Sequence, residues 1–214
     1  MEMMKSEKSQ SVSLIEWGIA ARSFDGRSES GDQYLVEPFP NGVLTVVVDG
    51  LGHGPSAATA GKTAVGAMQG HVREPVDLLL RRCHESLRRT RGVVMSLASF
   101  DALGGTVTWL GVGNVKGLLL FAPGTTERPR ERLLLRGGVV GYQLPTLRPS
   151  VLPIKRGDLL IFATDGLRSA FTDGVVFDEP AQQMADRILV QYRRGTDDAM
   201  VLVARYVGLG NIGM

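Results

Sequence analysis

Apolar residues along this chain fall mostly into short runs, which are separated by turns that contain glycine or proline. One run, VLTVVV at residues 43–48, is typical of a strand that is buried on both faces. Runs of similar length recur along the chain and predict further strands. These lie at residues 12–21, 33–37, 93–100, 106–111, 117–121, 132–135, 151–153, 159–163 and 200–207.

Three other stretches have apolar residues at helical spacing. Pro55 suits the first turn of a helix, and the small residues that follow it indicate close packing against a sheet. A second helix begins near Pro75 and ends at Gly92, and a third begins after Pro180 and ends at Gly195. We interpret the cationic cluster at residues 88–91 as complementing a helix dipole. Because strands occur in runs and helices in two groups, the pattern predicts a layered α+β fold.

Composition narrows the class of protein. The chain has 214 residues, of which 43% are hydrophobic and 21% charged, as in an ordinary globular domain. Its net charge of +2 does not imply a nucleic-acid partner. No apolar run has the length of a membrane span, and the lone Cys83 excludes an internal disulfide. We therefore expect a soluble, cytoplasmic protein with a disordered segment at residues 1–11, one domain at 12–207 and a frayed tail at 208–214.

Acidic residues stand at strand ends or beside glycine turns at four places: Asp32, Asp49, Asp165 and the pair Asp197–Asp198. An ordinary Asp-Gly turn explains any one of them. If separate strands deliver them to one sheet edge, however, their mutual repulsion requires cations. Ligands that are all oxygen favour Mg²⁺ or Mn²⁺ over zinc, and two such ions ~4 Å apart can hold a phosphoryl group and activate water.

Five short motifs carry a resemblance to a known family. In order and approximate spacing they resemble the metal-dependent type-2C (PPM) protein phosphatases, and most closely the bacterial branch that contains SpoIIE, RsbU and RsbX. The motifs are Ser30-Gly31-Asp32, Val48-Asp49-Gly50-Leu51-Gly52-His53-Gly54, Gly111-Val112-Gly113-Asn114, Ala163-Thr164-Asp165-Gly166 and Thr196-Asp197-Asp198-Ala199. The resemblance implies an α-β-β-α sandwich, in which helices flank two central antiparallel sheets and a centre for two metal ions lies at one end.

The resemblance also implies roles for individual residues. Asp49 would bridge the two ions, and the carbonyl of Gly50 would bind one of them. Asp165 and Asp197 would complete the other ion's ligands, and Asp32 would hold a water molecule beside the ions. The reaction implied is direct attack of metal-activated water on phosphoserine or phosphothreonine, without a phosphoenzyme.

Some positions leave alternatives open. Asp198 could replace Asp197 as the ligand, although the first acid of the pair usually ligates in this family. Arg27 is a candidate for holding phosphate and Arg22 is a second one. Eukaryotic members of the family place a histidine directly after the Asp-Gly pair, whereas this chain has Leu51 there and His53 two residues later. We therefore interpret His53 as a supporting residue of the loop, and the acid that protonates the leaving group stays open.

The resemblance implies the class of partner as well. With no sensor domain expected before the catalytic unit, the chain looks most like RsbX, whose substrates are phosphorylated scaffold and sensor proteins of the bacterial stressosome. Sibling phosphatases act on anti-sigma-factor antagonists instead. Two alternatives compete with this hypothesis: a phosphotransferase with an aspartate nucleophile, and a non-catalytic module that binds phosphoproteins through a degenerate site. The first is disfavoured because no second acid follows Asp49 two residues later.

Overall fold

Two antiparallel sheets stack face to face in the computed structural model, which describes residues 7–12, 14–24, 29–124 and 130–208. The strands are β1 (Glu7–Val12), β2 (Ile15–Arg22), β3 (Asp32–Phe39), β4 (Gly42–Gly50), β5 (Val93–Asp101), β6 (Thr106–Val112), β7 (Lys116–Leu120), β8 (Arg130–Arg132), β9 (Ser150–Pro153), β10 (Leu159–Ala163) and β11 (Ala199–Tyr206). The helices are α1 (Pro55–Met68), α2 (Val76–Leu87), a 3₁₀ helix (Ser169–Gly174) and α3 (Ala181–Tyr192).

The strand order shows how distant segments become neighbours. The six-stranded sheet has the order β1-β2-β11-β10-β7-β8, and the five-stranded sheet has the order β3-β4-β5-β6-β9. Strand β11, near the C-terminus, therefore lies between β2 and β10. Strands β4 and β5 pair directly although both α1 and α2 separate them in the chain.

Three apolar clusters hold four layers together. One cluster fills the space between the sheets and includes Trp17, Phe100, Trp109 and Phe162. A second joins α1 and α2 to the outer face of the five-stranded sheet. The third joins α3 to the outer face of the six-stranded sheet. This arrangement confirms the predicted α+β class and the α-β-β-α sandwich.

Helix α1 packs closely because small residues meet small residues. A Cβ atom at Gly50 would lie 2.3 Å from the carbonyl oxygen of Ala57, in the first turn of α1. A Cβ atom at Gly61 would lie 2.6 Å from the carbonyl oxygen of Gly31. No side chain fits at either glycine without a shift of the backbone. The close approach seats α1 directly against the ends of β3 and β4, where the first two acidic motifs lie.

Several elements differ from the prediction. Residues 7–12 form a strand that pairs with β2, whereas we expected disorder as far as residue 11. Backbone hydrogen bonds to a neighbouring strand need no apolar pattern, so a polar sequence gives no warning of such a strand. Strand β8 lies at residues 130–132, not 132–135, and the 3₁₀ helix was not predicted. Residues 1–6 and 209–214 lie outside the described residues, so the predicted limits of the domain stay a prediction.

Cys83 is buried on the apolar side of α2, as expected for a core residue. Burial raises the pKa of its thiol to about 12, which keeps it in the unreactive protonated form. Within the described ranges, none of the helices has both the length and the apolar character that crossing a bilayer requires.

Candidate metal centre

The centre of the site is a pair of carboxylates on neighbouring strands. Asp32 begins β3 and lies directly opposite Asp49 near the end of β4. The Gly50 N–H donates to the carbonyl of Gly31 at 3.1 Å, so the Asp32–Asp49 pair is of the non-hydrogen-bonded type. In this type the opposing Cα atoms are only ~4.5 Å apart and the side chains share one face of the sheet. Two carboxylates are thus held side by side by the strand register alone.

Burial and electrostatic repulsion raise the pKa values of both Asp32 and Asp49. Burial raises the pKa of Asp32 well above its usual value, and the charge of Asp49 adds to this effect. The Thr164 hydroxyl partly offsets it by donating a hydrogen bond to Asp32 Oδ2 at 3.0 Å. Burial, followed by the charges of Asp165 and Asp197, raises the pKa of Asp49 to about 7. A divalent cation bound among these carboxylates would offset their mutual repulsion and favour their ionised forms.

Asp165 reaches the site from the six-stranded sheet. It lies two residues beyond the last residue of β10, in the turn that follows this buried strand. The side-chain amide of Asn114, in the turn between β6 and β7, donates to Asp165 Oδ2 at 2.8 Å. The motif around Asn114 therefore supports the orientation of an acidic residue, a role that the sequence left open.

The two acids of the pair at residues 197–198 have different surroundings. Asp198 is buried, and its carboxylate accepts hydrogen bonds from the Phe24 N–H at 2.9 Å, the Ser30 hydroxyl at 2.9 Å and the Gly31 N–H at 2.8 Å. Both oxygens of Asp198 are thus occupied by the segment that leads into β3. Asp197 is exposed, and one of its oxygens accepts the N–H of Asp198 at 2.8 Å. The geometry therefore favours Asp197 as a metal ligand and Asp198 as a structural anchor.

Asp198 also affects the backbone carbonyl of Gly50. Gly31 and Gly50 are the next residues along the ladder from the Asp32–Asp49 pair, and Gly50 donates to Gly31. In a regular antiparallel ladder the Gly31 N–H would donate back to the Gly50 carbonyl. It donates to Asp198 Oδ2 instead. The Gly50 carbonyl thereby loses its ladder donor and can serve a cation, as the resemblance implies.

An arginine that the sequence analysis did not select lies beside the glycine turn. A Cβ atom at Gly52 would lie 2.8 Å from Nη1 of Arg91. The Leu51 N–H donates to the Gly92 carbonyl at 3.2 Å, which extends the β4–β5 pairing and holds Arg91 opposite the turn. The charge pattern at residues 88–91 predicts that Arg91 complements a helix dipole, and does not indicate a site residue. Arg91 lies here because β5 pairs with β4. Sequence patterns do not report this pairing, since α1 and α2 separate the two strands in the chain.

The other predicted basic residues are distributed differently. Arg27 lies outside the described residues, so its role in phosphate binding stays a prediction. Arg22 ends β2 opposite Ala199, the residue that follows Asp198. His53 is exposed in the glycine turn, and a positive charge on it would lower the pKa of Asp197. The pKa of Asp197 is nevertheless raised, first because neighbouring atoms displace part of the water around its carboxylate, although the residue is exposed overall, and then by the charge of Asp165.

The donor set fits Mg²⁺ or Mn²⁺. Its members are carboxylate oxygens and one backbone carbonyl, which hard divalent cations prefer. Among the residues that the structure describes, no group of three His, Cys, Asp or Glu side chains encloses a single ion position. A centre built on one or two carboxylates per ion does not need such a group, because Mg²⁺ usually keeps several of its waters. The charge coupling of Asp49 to both Asp165 and Asp197 supports this open arrangement.

Comparison with known proteins agrees with this geometry. The family model of stage II sporulation protein E (SpoIIE) matches residues 40–207. The phosphoserine phosphatase RsbX of Bacillus subtilis (strain 168) is 22% identical over 165 residues, which cover 77% of this chain and 79% of RsbX. A crystal structure of RsbX in complex with magnesium has a TM-score of 0.81 at 19% identity and covers 95% of this chain and 100% of that one.

Two further solved structures share the fold. One is a chain from a structure of the bacterial stressosome, described as a modular system that has been adapted to control secondary messenger signalling. It is 30% identical to this chain, with a TM-score of 0.80. The match covers 89% of this chain and 99% of that chain. The catalytic domain of the serine/threonine phosphatase PstP, with two manganese ions, has a TM-score of 0.69 at 15% identity and covers 91% and 99%. The metals of RsbX and PstP are the two that we expected for this donor set. By the extent of the family match and the shared fold, the chain belongs to the SpoIIE family of PP2C-type phosphatases.

Proposed function

We propose that this protein is a phosphatase that depends on Mn²⁺ or Mg²⁺ and hydrolyses phosphoserine and phosphothreonine in other proteins. The observation that carries the proposal is the placement of Asp49. It lies opposite Asp32 on the neighbouring strand, and the charges of Asp165 and Asp197 act on it from the other sheet. A protein that only binds phosphoproteins has no use for clustered carboxylates, because they repel phosphate. Similarity to RsbX and PstP, which are both described as phosphatases, supports the same activity.

Each residue of the site has a distinct task in this proposal. Asp49 and the Gly50 carbonyl would hold one ion, and Asp49, Asp165 and Asp197 would hold the second. When bound, the two ions supply a water activated for attack at phosphorus and neutralise the phosphoryl oxygens. Asp32 would orient the attacking water, and the Thr164 hydroxyl fixes the Asp32 carboxylate by donating a hydrogen bond to it.

Residues outside the ligand set support the same reaction. Asn114 fixes the carboxylate of Asp165. Asp198 fixes the chain before β3 and thereby the position of Asp32. Arg91 and Arg27 are candidates for binding the phosphoryl group of the substrate, Arg91 because it lies over the glycine turn. Arginine suits this task, since its guanidinium pairs with two phosphate oxygens at once.

The natural substrates in this proposal are phosphoproteins. Between Asp165 and Asp197 the chain forms only a short 3₁₀ helix and α3, so no additional subdomain covers the site there. An open site of this kind admits a phosphorylated segment on a large partner. By analogy with RsbX and with the stressosome chain, we assign stressosome scaffold and sensor proteins as substrates and the cytoplasm as the location. Anti-sigma-factor antagonists are the second class of substrate to test.

The activity can be tested with purified protein, a phosphoserine peptide and Mn²⁺. We expect release of phosphate that EDTA abolishes and that Asp49→Asn reduces at least a thousandfold, because the shared ligand is lost. Asp178→Asn removes an exposed carboxylate before α3 and serves as the matched control, with activity unchanged. Peptide binding without turnover, at every Mn²⁺ concentration, would favour the non-catalytic module. A trapped phosphoenzyme would favour the phosphotransferase.

A further inference from the structure

Basic side chains flank Asp165 on the outer face of the six-stranded sheet. Lys116 begins β7 opposite Ala163, the last residue of β10. Two residues further along β7, Leu118 lies opposite Arg132 of β8. Residues two apart on a strand, and residues directly opposite each other, share a face of the sheet. Lys116 and Arg132 are therefore diagonal neighbours on the face where Leu118 packs towards α3.

Arg194 completes this group from the segment after α3. Its N–H donates to the Gly166 carbonyl at 2.9 Å, and its Nε donates to the Leu167 carbonyl at 3.3 Å. On the other side, Lys116 Nζ donates to the Ser169 hydroxyl at 3.0 Å. The chain that follows Asp165 is thus held between Lys116 and Arg194. We name Lys116, Arg132 and Arg194 the basic patch.

The charges that act on Lys116 are mostly positive. Within the described ranges, none of the salt bridges includes a member of the patch. Burial and the charges of Arg194 and Arg132 lower the pKa of Lys116, whereas Asp165 alone acts to raise it. Asp165 is a metal ligand in the proposed function, so its charge is committed to an ion. Arg132 and Arg194 are exposed and Lys116 is partly exposed, so an anionic partner can reach all three.

We propose that the basic patch is a docking surface for acidic residues that flank the phosphorylated serine or threonine of a protein substrate. This inference deepens the proposed function and rests on it. Arg194 is hydrogen-bonded to the carbonyls of Gly166 and Leu167, one and two residues after Asp165. A peptide whose phosphoryl group lies at the metal centre therefore reaches the patch within a few residues. The patch acts on binding and not on the chemical step. A small ester such as p-nitrophenyl phosphate is too short to contact it.

Binding of labelled peptides tests the proposal independently of turnover. The probe is a fluorescein-labelled phosphoserine peptide with four glutamates after the phosphoserine, compared with the same peptide carrying glutamines. Fluorescence anisotropy with the Asp32→Asn variant in Mn²⁺ measures affinity while hydrolysis is suppressed, because this substitution keeps Asp49, Asp165 and Asp197. We expect the triple variant K116Q/R132Q/R194Q to lose about tenfold in affinity for the acidic peptide, since exposed charge pairs contribute modestly and together. Its affinity for the glutamine peptide should stay within twofold.

Matched variants separate docking from a general effect of charge. The triple variant K62Q/R73Q/R81Q removes the same number of exposed positive charges from α1, α2 and the connection between them, and should bind both peptides as the parent does. The exchange K116R/R194K keeps the charges and should keep the affinity. Equal affinity of the parent for the two peptides, or an unchanged affinity in the patch variant, would overturn the proposal.

Turnover gives a second and separate reading. For turnover, K116Q/R132Q/R194Q is made in the natural protein, with every residue of the metal centre retained. Its kcat/KM should stay within twofold for p-nitrophenyl phosphate and fall about tenfold for the acidic phosphopeptide. If the natural protein hydrolyses neither substrate while the patch still discriminates between the peptides, the proposed function fails and the docking surface stands. If it hydrolyses both peptides equally well, the docking surface fails and the proposed function stands.

Discussion

Replacing Asp49 by asparagine should stabilise the metal-free protein at neutral and alkaline pH. Asparagine keeps the shape of the side chain and removes the charge that faces Asp32 across the two strands. The stability gained depends on how far the pKa of Asp49 in the native protein lies above its value in the unfolded chain. Its pKa is raised from 3.8 to about 7, first by burial and then by the charge of Asp165.

The size of the effect follows from the linkage between proton binding and folding. Between the two pKa values the native state holds a proton that the unfolded chain has released, so stability falls as the pH rises from about 4 to about 7. The full shift corresponds to about 4 kcal/mol, and partial exposure of Asp49 to solvent reduces the expected gain to about 2 kcal/mol. For a chain of this length that is a rise in Tm of roughly 4–8 °C.

Thermal melting in EDTA at pH 5 and pH 8 measures the prediction. At pH 8 the variant should melt at a higher temperature than the natural protein. At pH 5 the difference should be less than half as large, because only the part of the effect that arises between about pH 4 and pH 5 is then present. Added Mn²⁺ should reverse the order at pH 8 by stabilising only the natural protein. A variant that is less stable than the natural protein at pH 8 without metal, or a difference that does not change with pH, would refute the reasoning.

Three further pairs of substitutions probe other parts of the site. Asp198→Ala removes the acceptor of three hydrogen bonds and should lower the free energy of urea unfolding by about 2–4 kcal/mol. Asp197→Ala should lower it by less than about 0.5 kcal/mol and abolish stabilisation by Mn²⁺. The opposite pattern would reverse the roles assigned to the two residues. Gly50→Ala places a Cβ atom 2.3 Å from the Ala57 carbonyl and should lower stability by about 1–3 kcal/mol, while Gly66→Ala, with open space around it in α1, should raise it by about 0.5–1 kcal/mol. Arg91→Ala should raise KM for p-nitrophenyl phosphate about tenfold with Tm unchanged, and equal KM values in Arg91→Ala and the control Arg89→Ala would exclude Arg91 from phosphate binding.

The strands that carry the acids could be predicted because their sequences are locally distinctive. Strands β4 and β10 are buried along nearly their whole length, so their apolar runs stop abruptly where Asp49 and Asp165 begin. The same contrast made the Asp-Gly motifs visible and allowed the family resemblance, which the family match confirms. By contrast, β1 is a polar strand whose formation depends on pairing with β2, and no local pattern reports that pairing.

Contacts between distant segments could not be predicted in the same way. That Asp32 faces Asp49 follows from strand register, which residue types alone do not specify. The different roles of Asp197 and Asp198 depend on which carboxylate accepts the N–H groups of Phe24 and Gly31. Arg91 is adjacent to the glycine turn only because β5 pairs with β4 across two intervening helices. In each case the decisive partner lies far away in the chain.

Anomalous diffraction at the manganese edge from crystals grown with Mn²⁺ tests the metal centre most directly. The account predicts two anomalous peaks about 4 Å apart, with Asp49 contacting both and with Asp165 and Asp197 contacting one of them. Strong peaks elsewhere on the surface, with the carboxylates of Asp49 and Asp165 contacting none of them, would contradict it.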